Sequence, residues 1–275
     1  MGLDGVRFVK GHGTRNDFVV LPDPDGTLSL DAAAIRAICD RRAGIGGDGV
    51  LRVVRTAAEP DAAADAGAAD WFMDYRNADG SVAEMCGNGI RVFARYLVEA
   101  GLAAPGELAV ATRDGVKTVR VPAAGDVTVD MGRWAPIEGA FTVTVGTRHW
   151  PATGVSMGNP HAVAVVGTLD DAGPLCEVPD VVPVFPAGVN VEFVVERGRG
   201  HLAMRVHERG VGETQSCGTG ACAAAVAVRE RRGDPLPATY DVDVPGGRLT
   251  ITVDADRRVL LSGPAVLVAD GVLRG

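Results

Sequence analysis

The chain has 275 residues, is 47% hydrophobic and 23% charged, and carries a formal net charge of −8. That is enough chain for two domains of ordinary size and enough apolar content for a packed core. An acidic balance with no basic run argues against a nucleic-acid surface, and no apolar run is long enough to span a bilayer. Met1 to Lys10 lacks the apolar stretch of a signal peptide, so a cytoplasmic location is expected. Lys10 and Lys117 are the only lysines, which leaves little scope for a Schiff-base cofactor such as pyridoxal phosphate. Five cysteines (Cys39, Cys86, Cys176, Cys217, Cys222) form no CxxC pair, so neither a disulfide framework nor a zinc site is indicated. His12, His149, His201 and His207 have no ligand spacing, and no metal is assigned.

In chain order, Val6 to Lys10 alternates as a strand, 11–16 reads as a loop, and Asp17 to Leu21 as a second strand. Asp31 to Arg42 has the acidic start and basic end of a helix. A glycine-rich loop, Gly44 to Gly49, leads to a strand over 50–55; it lacks the spacing of a nucleotide loop. Ala57 to Asp70 reads as a mobile surface loop. Trp71 to Arg76 is a strand, and Ile90 to Ala100 a helix. Strands follow near 108–111, 116–121 and 127–131, with a domain boundary expected at Gly132 to Pro136. The second half repeats the plan: strands over 141–145, 148–153, 162–166, 189–195 and 202–207, a helix over 221–231, then strands over 238–244, 248–253, 259–262 and 265–269.

The repeat is anchored by two tetrapeptides, Cys86-Gly87-Asn88-Gly89 and Cys217-Gly218-Thr219-Gly220. Aligning them puts Met73 on Met204 and Asn77 on Glu208; upstream, Asn16 has Asn159 as its counterpart, and Gly44-Ile45 echoes Gly188-Val189. One α/β unit has been duplicated. The expected boundaries are 1–131 plus 264–275 for one domain and 132–263 for the other, with the two CGxG units lining one cleft.

A cysteine ahead of Gly-x-Gly at a helix start places a thiol beside unpaired backbone N–H groups at the positive end of the helix dipole, which favours the thiolate. Two such thiols suit a two-base proton exchange: one takes a proton from a carbon, the other returns one to the opposite face. The N–H groups of Gly87, Asn88, Gly218 and Thr219 are candidates to hold a carboxylate as charge builds on it. His161 and Glu208 are candidates to exchange protons with the thiols or with a substrate amine. Asn16, Asn77, Asn159, Asn190 and Arg209 together form a lining suited to ammonium and carboxylate groups.

Gly11 to Asp17 (GHGTRND), Gly44 to Gly49 (GIGGDG), Tyr75 to Arg91 (YRNADGSVAEMCGNGIR), Met157 to His161 (MGNPH), Val189 to Phe193 (VNVEF) and Glu208 to Ala221 (ERGVGETQSCGTGA) closely resemble diaminopimelate epimerase, in that family's order. The resemblance implies two pseudo-symmetric α/β (α+β) domains, each a mixed sheet wrapped around a central helix, with the active site in the interdomain cleft. It implies cofactor-independent conversion of LL- to meso-diaminopimelate on the route to lysine and peptidoglycan precursors. It places the proton-exchanging pair on Cys86 and Cys217, helpers on His161 and Glu208, and substrate contacts on Asn16, Asn77, Gly87, Asn88, Asn159, Asn190, Glu208, Arg209, Gly218 and Thr219. A homodimer is expected. Two positions depart from the family pattern: Gly49 stands where many members carry Gln, and Ala269 where some carry a Tyr at the dimer contact. Rival readings are a proline racemase or hydroxyproline epimerase, whose single-headed substrate gives Arg209 no purpose, a phenazine-synthesis-type isomerase, which needs no second thiol, and a non-catalytic thiol or binding protein.

Overall fold

The computed structural model describes residues 3–274; the outermost residues of the expected domain boundaries, 1–2 and 275, lie outside it. The elements run β1 (Arg7–Gly13), β2 (Asn16–Pro22), α1 (Ala32–Cys39), β3 (Gly49–Arg55), β4 (Trp71–Asn77), α2 (Gly87–Glu99), β5 (Gly106–Thr112), β6 (Gly115–Val121) and β7 (Val127–Arg133). They continue with β8 (Ala135–Val145), β9 (Arg148–Ser156), β10 (Pro160–Val165), β11 (Asp180–Val182), β12 (Asn190–Gly198), β13 (His201–Glu208), β14 (Gly212–Glu213) and α3 (Gly218–Arg232). The last are β15 (Ala238–Val244), β16 (Gly247–Val253), β17 (Arg258–Gly263) and β18 (Val266–Val272). The class is mixed α+β, dominated by sheet.

Two compact units emerge: residues up to Val129 together with those from Gly263 on, and Asp130–Ser262. No flexible linker marks the division, because Gly132 to Pro136 is taken up by the end of β7 and the start of β8.

In the first unit the strands pair in the order β18-β1-β2-β3-β4-β5-β6-β7. In the second the order is β8-β9-β10-β12-β13-β15-β16-β17. Both series run antiparallel except at two parallel joints, β2–β3 and β4–β5 in one, β10–β12 and β13–β15 in the other. The duplication read from the two tetrapeptides is therefore a duplication of sheet topology. The registers also revise one alignment: Phe18 pairs with Gly49 as His161 pairs with Asn190, so Gly188-Val189 corresponds to Gly47-Asp48 rather than to Gly44-Ile45.

Each sheet curls around one helix. Gly87 through Leu97 of α2 are all buried, as are Gly218 and Gly220 through Val228 of α3. The middle of α3 is apolar on every side, as a helix inside a core should be, while α2 buries Arg91 and Arg95 by donating from them to backbone carbonyls. Ala221, Ala223, Ala224, Ala225 and Ala227 keep α3 thin enough for the surrounding strands to close on it. Both helices begin earlier than sequence periodicity suggests, directly after their cysteines.

Two other expectations change. The loop over 11–16 is mostly strand; only Thr14 and Arg15 turn, as a two-residue hairpin with φ of 49° and 63°. Such turns need positive φ, which is costly for a β-branched residue. Buried Thr14 is held by Arg91 Nη2, 3.2 Å from its Oγ1. The segment over 57–70 lies at the surface, as expected, but is anchored at two points rather than loose. It forms short 3₁₀ turns at Thr56–Ala58 and Pro60–Asp65, and Ala62 and Ala69 join Val54, Phe72 and Ala111 in a small core. Glu59 is tied to Arg52 at 3.1 Å. Ala62→Glu would bury a charge without a partner there, and should lower unfolding stability by about 2 kcal/mol or more. Urea unfolding checks this; an unchanged midpoint would return the segment to a dispensable loop.

Candidate active site

In the first unit, Cys86 is the N-cap of α2, with extended backbone (φ −139°, ψ 118°), and its sulfur accepts from Gly89 N–H at 3.4 Å. The buried start of the helix thus has a sulfur among its acceptors. The Cys86 thiol donates to Asn16 Oδ1 at 3.6 Å. Asn88 Nδ2 reaches the same oxygen at 3.2 Å. Asn16 is oriented from behind: its Nδ2 donates to Asp48 Oδ2 at 2.7 Å, and Arg41 bridges Asp48 and Asp17, 2.7 Å from each. Burial pushes the Asp17 carboxyl up, but Arg41 and Lys10 outweigh it and hold its pKa at about 2. Asn88 is itself buried, with Thr14 Oγ1 donating to its Oδ1 at 3.4 Å. Its side chain braces the hairpin. Asn77 ends β4 opposite Gly49, and its amide donates to Ser81 Oγ at 2.9 Å.

In the second unit, Cys217 is the N-cap of α3 with nearly the same backbone (φ −118°, ψ 112°). Its sulfur lies 3.5 Å from Thr219 Oγ1. Thr219 Oγ1 accepts from Asn159 Nδ2 at 3.4 Å, and Asn159 Oδ1 lies 3.0 Å from His161 Nε2. His161 Nδ1 is 2.7 Å from Glu192 Oε1, and both side chains are fully buried. Glu208 Oε2 accepts from Thr214 Oγ1 at 3.0 Å. Asn190 uses both ends of its amide on backbone, donating to Pro160 O at 3.0 Å and accepting from Arg209 N–H at 2.9 Å. It thereby fixes the strand end that carries Arg209, whose guanidinium donates to Ala187 O at 3.2 Å.

The expectation of a lowered thiol pKa does not hold at Cys217. Burial pushes this thiol well above its ordinary value, the carboxylates of Glu208 and Glu192 add to that, and the Thr219 hydroxyl and Gly220 backbone only partly oppose them. The helix end cannot offset removal from water together with two nearby negative charges. Cys217 is 7% exposed, whereas Cys86 is half-buried. His161 is sealed in the core with both ring nitrogens engaged, and contacts run from it through Asn159 and Thr219 to the Cys217 sulfur. Among the other cysteines, Cys39 and Cys222 are buried in their helices and Cys176 is exposed.

Sequence reading missed Glu192 and Asp48. A signal for Glu192 was present: it alternates with Asn190 in the run 190–195, whose other residues are apolar, and so shares its face. Asp48 gave none, because a surface ion pair looks the same from sequence.

A family model for diaminopimelate epimerase matches residues 8–135 and 153–268. The chain belongs to the diaminopimelate epimerase family. It is 62% identical to a diaminopimelate epimerase of Streptomyces coelicolor, over 97% of this chain and 94% of the relative. It is 52% identical to one of Thermobifida fusca, over 98% of each. Among solved structures, a phenazine biosynthesis protein of the PhzF family from Bacillus anthracis superposes with a TM-score of 0.72 at 16% identity, over 98% of each chain. A hydroxyproline epimerase from Agrobacterium vitis gives 0.66 at 17% identity, over 98% of this chain and 93% of that one. These distant likenesses establish the fold.

Because the thiolate is the reactive form, alkylation reports the ionisation of Cys217. Glu208→Gln removes one of the charges that hold the thiol protonated. At a fixed pH below the thiol pKa, this family member should then alkylate faster at Cys217, followed by mass spectrometry of the peptide. An unchanged or slower rate would contradict the electrostatic account.

Proposed function

We propose that the protein interconverts LL- and meso-2,6-diaminopimelate by a two-cysteine proton exchange that needs no cofactor. The observation that carries this reading is that a chain of this family places a cysteine at the N-cap of each of its two buried helices, with matching backbone angles.

In this reading, the cysteine present as thiolate removes the α-proton. The C–H electron pair moves into the adjacent carboxylate, where backbone N–H groups of Gly87 and Asn88 or of Gly218 and Thr219 offset the added charge. The other cysteine, present as thiol, delivers its proton to the opposite face of the same carbon and becomes the thiolate. Atoms and charge balance, the configuration inverts, and the enzyme is left in the protonation state from which the reverse reaction starts. The raised pKa of Cys217 supports its role as the resting thiol. Cys86, the less buried of the two, is then the base once its thiol has lost to solvent the proton it donates to Asn16 Oδ1; the Gly89 N–H at its sulfur favours that loss.

Asn16, Asn77, Asn159, Glu208 and Arg209 hold the amino and carboxylate groups, with Asn190 bracing the backbone of Arg209. Arg209, exposed and on a strand end braced by Asn190, suits the distal carboxylate that a proline-like substrate lacks. Among the described residues no helix is long and apolar enough to cross a membrane. The reading places the enzyme as a homodimer in the cytoplasm.

Cys86→Ala and Cys217→Ala should each reduce conversion of LL- to meso-diaminopimelate by at least about 10³-fold while leaving the fold intact, since each removes one acid–base partner. Isomer ratios by chiral chromatography test this, and substantial turnover in either variant would sink the two-thiol proposal. Arg209→Ala should lose most of kcat/KM with little change in thermal stability; an unaltered kcat/KM removes Arg209 from the site.

A further inference from the structure

Each unit serves as an internal control for the other. Leu51 pairs with Tyr75, and Glu192 pairs with Val206. The cysteine alignment puts Tyr75 on Val206, so Leu51 and Glu192 are counterparts. The parallel joints make Phe18 and His161 counterparts in the same way. Gly89 and Gly220 sit at the same place in their helices, each third after its cysteine. A Cβ built on Gly89 would lie 3.2 Å from Leu51 Cδ2 and 3.5 Å from Phe18 Cζ. One built on Gly220 would lie 2.7 Å from Glu192 Oε1. The same helix start therefore rests on two hydrocarbons in one unit and on a carboxyl, itself bound to the His161 imidazole, in the other.

Packing does not explain this difference. Leucine and phenylalanine fill the corresponding space in the first unit with both side chains fully buried. Burying a carboxyl is unfavourable unless hydrogen bonds compensate. Glu192 Oε2 has no hydrogen-bond partner among the described residues. A group retained at a cost to stability, where its own duplicate manages without it, points to function.

The direction of the hydrogen bonds gives that function. Asn159 Nδ2 donates to Thr219 Oγ1, so Asn159 Oδ1 faces His161 Nε2, which must carry a proton. The second proton of the pair lies between His161 Nδ1 and Glu192 Oε1. Thr219 Oγ1 accepts from Asn159 and lies 3.5 Å from Cys217 Sγ, where the hydroxyl can accept from the thiol and donate to the thiolate. The series reaches the sulfur through the Thr219 hydroxyl, which becomes a donor there once Cys217 has lost its proton. It thus supports the thiolate as Cys217 loses its proton to carbon.

We propose that Glu192 is a positioning residue: through His161, Asn159 and Thr219 it fixes the donor aimed at Cys217, and the Cys86 side has no such device. The inference rests on the two-cysteine epimerase reading. With Glu192→Gln the imidazole keeps one proton instead of sharing two with its partner, and the direction of the line is no longer imposed. Glu192→Leu copies the residue that packs at this place in the first unit, so it separates loss of positioning from loss of folding.

The experiment joins ¹⁵N NMR of the histidine rings, with His161 assigned by its absence in His161→Gln, to steady-state kinetics with LL-diaminopimelate. Glu192→Gln should move the His161 ring resonances. Both Glu192 variants should lower kcat by about 100-fold, with KM changed by no more than about twofold. Unmoved His161 resonances, or wild-type kcat in a folded Glu192→Leu protein, would overturn the proposal. The NMR arm needs no substrate. A wild-type protein that fails to turn over diaminopimelate, while its His161 still responds to Glu192→Gln, would therefore remove the epimerase reading and leave the donor line standing.

Discussion

A helix with no exposed face must satisfy its first N–H groups without bulk water. That constraint governs both units. Residues Gly87 through Leu97 of α2 are buried, and α3 is sealed in the same way. At each start the chain supplies a cysteine as N-cap and glycines in the first turn. The glycines let the sheet approach so closely that a Cβ would meet Leu51 in one unit and Glu192 in the other. The result is a strongly polar, rigidly held helix end beside a sulfur, which is the equipment for binding a carboxylate and moving a proton next to it.

Duplication supplied two copies of this helix end, and later change made them unequal. The strand order and the positions of the parallel joints match between units, as do Asn16 and Asn159 ahead of the paired strands. What surrounds the sulfurs differs. Cys86 is half-buried and contacts Asn16, whose amide is set by Asp48 and Arg41. Cys217 is buried, and burial with the charges of Glu208 and Glu192 pushes its pKa well above the ordinary thiol value. In the proposed reaction, an exchange between opposite faces of one carbon needs one thiolate and one thiol, and two unlike environments favour that arrangement more than two identical ones would.

Much of this was legible in the sequence. The CGxG repeat gave the duplication, because Gly-x-Gly after a capping residue has few uses besides a tight helix start. Alternating apolar runs gave most strands, and the long conserved-order motifs gave the family. What stayed hidden depends on long-range contacts. Ala57 to Asp70 reads as a loop because nothing local reveals that Ala62 and Ala69 pack beside Phe72 and Ala111. The raised pKa of Cys217 comes from burial and from carboxylates on two other strands, whereas the local signal, a helix start, points the other way. His161 reads as a reactive side chain; only the tertiary structure reveals that Glu192 and Asn159 occupy both its nitrogens.

The central claim is that two different thiols act on one carbon, and isotope exchange tests it directly. LL-diaminopimelate would be supplied in D₂O under reducing conditions, and substrate and product recovered at low conversion for NMR. The two-thiol account predicts deuterium at the inverted α-carbon of the meso product while the remaining LL substrate stays unlabelled, because the proton taken by one sulfur is not the one returned by the other. Product that retains its original α-proton, or deuterium entering the substrate as fast as product forms, would point to a single base and contradict the account.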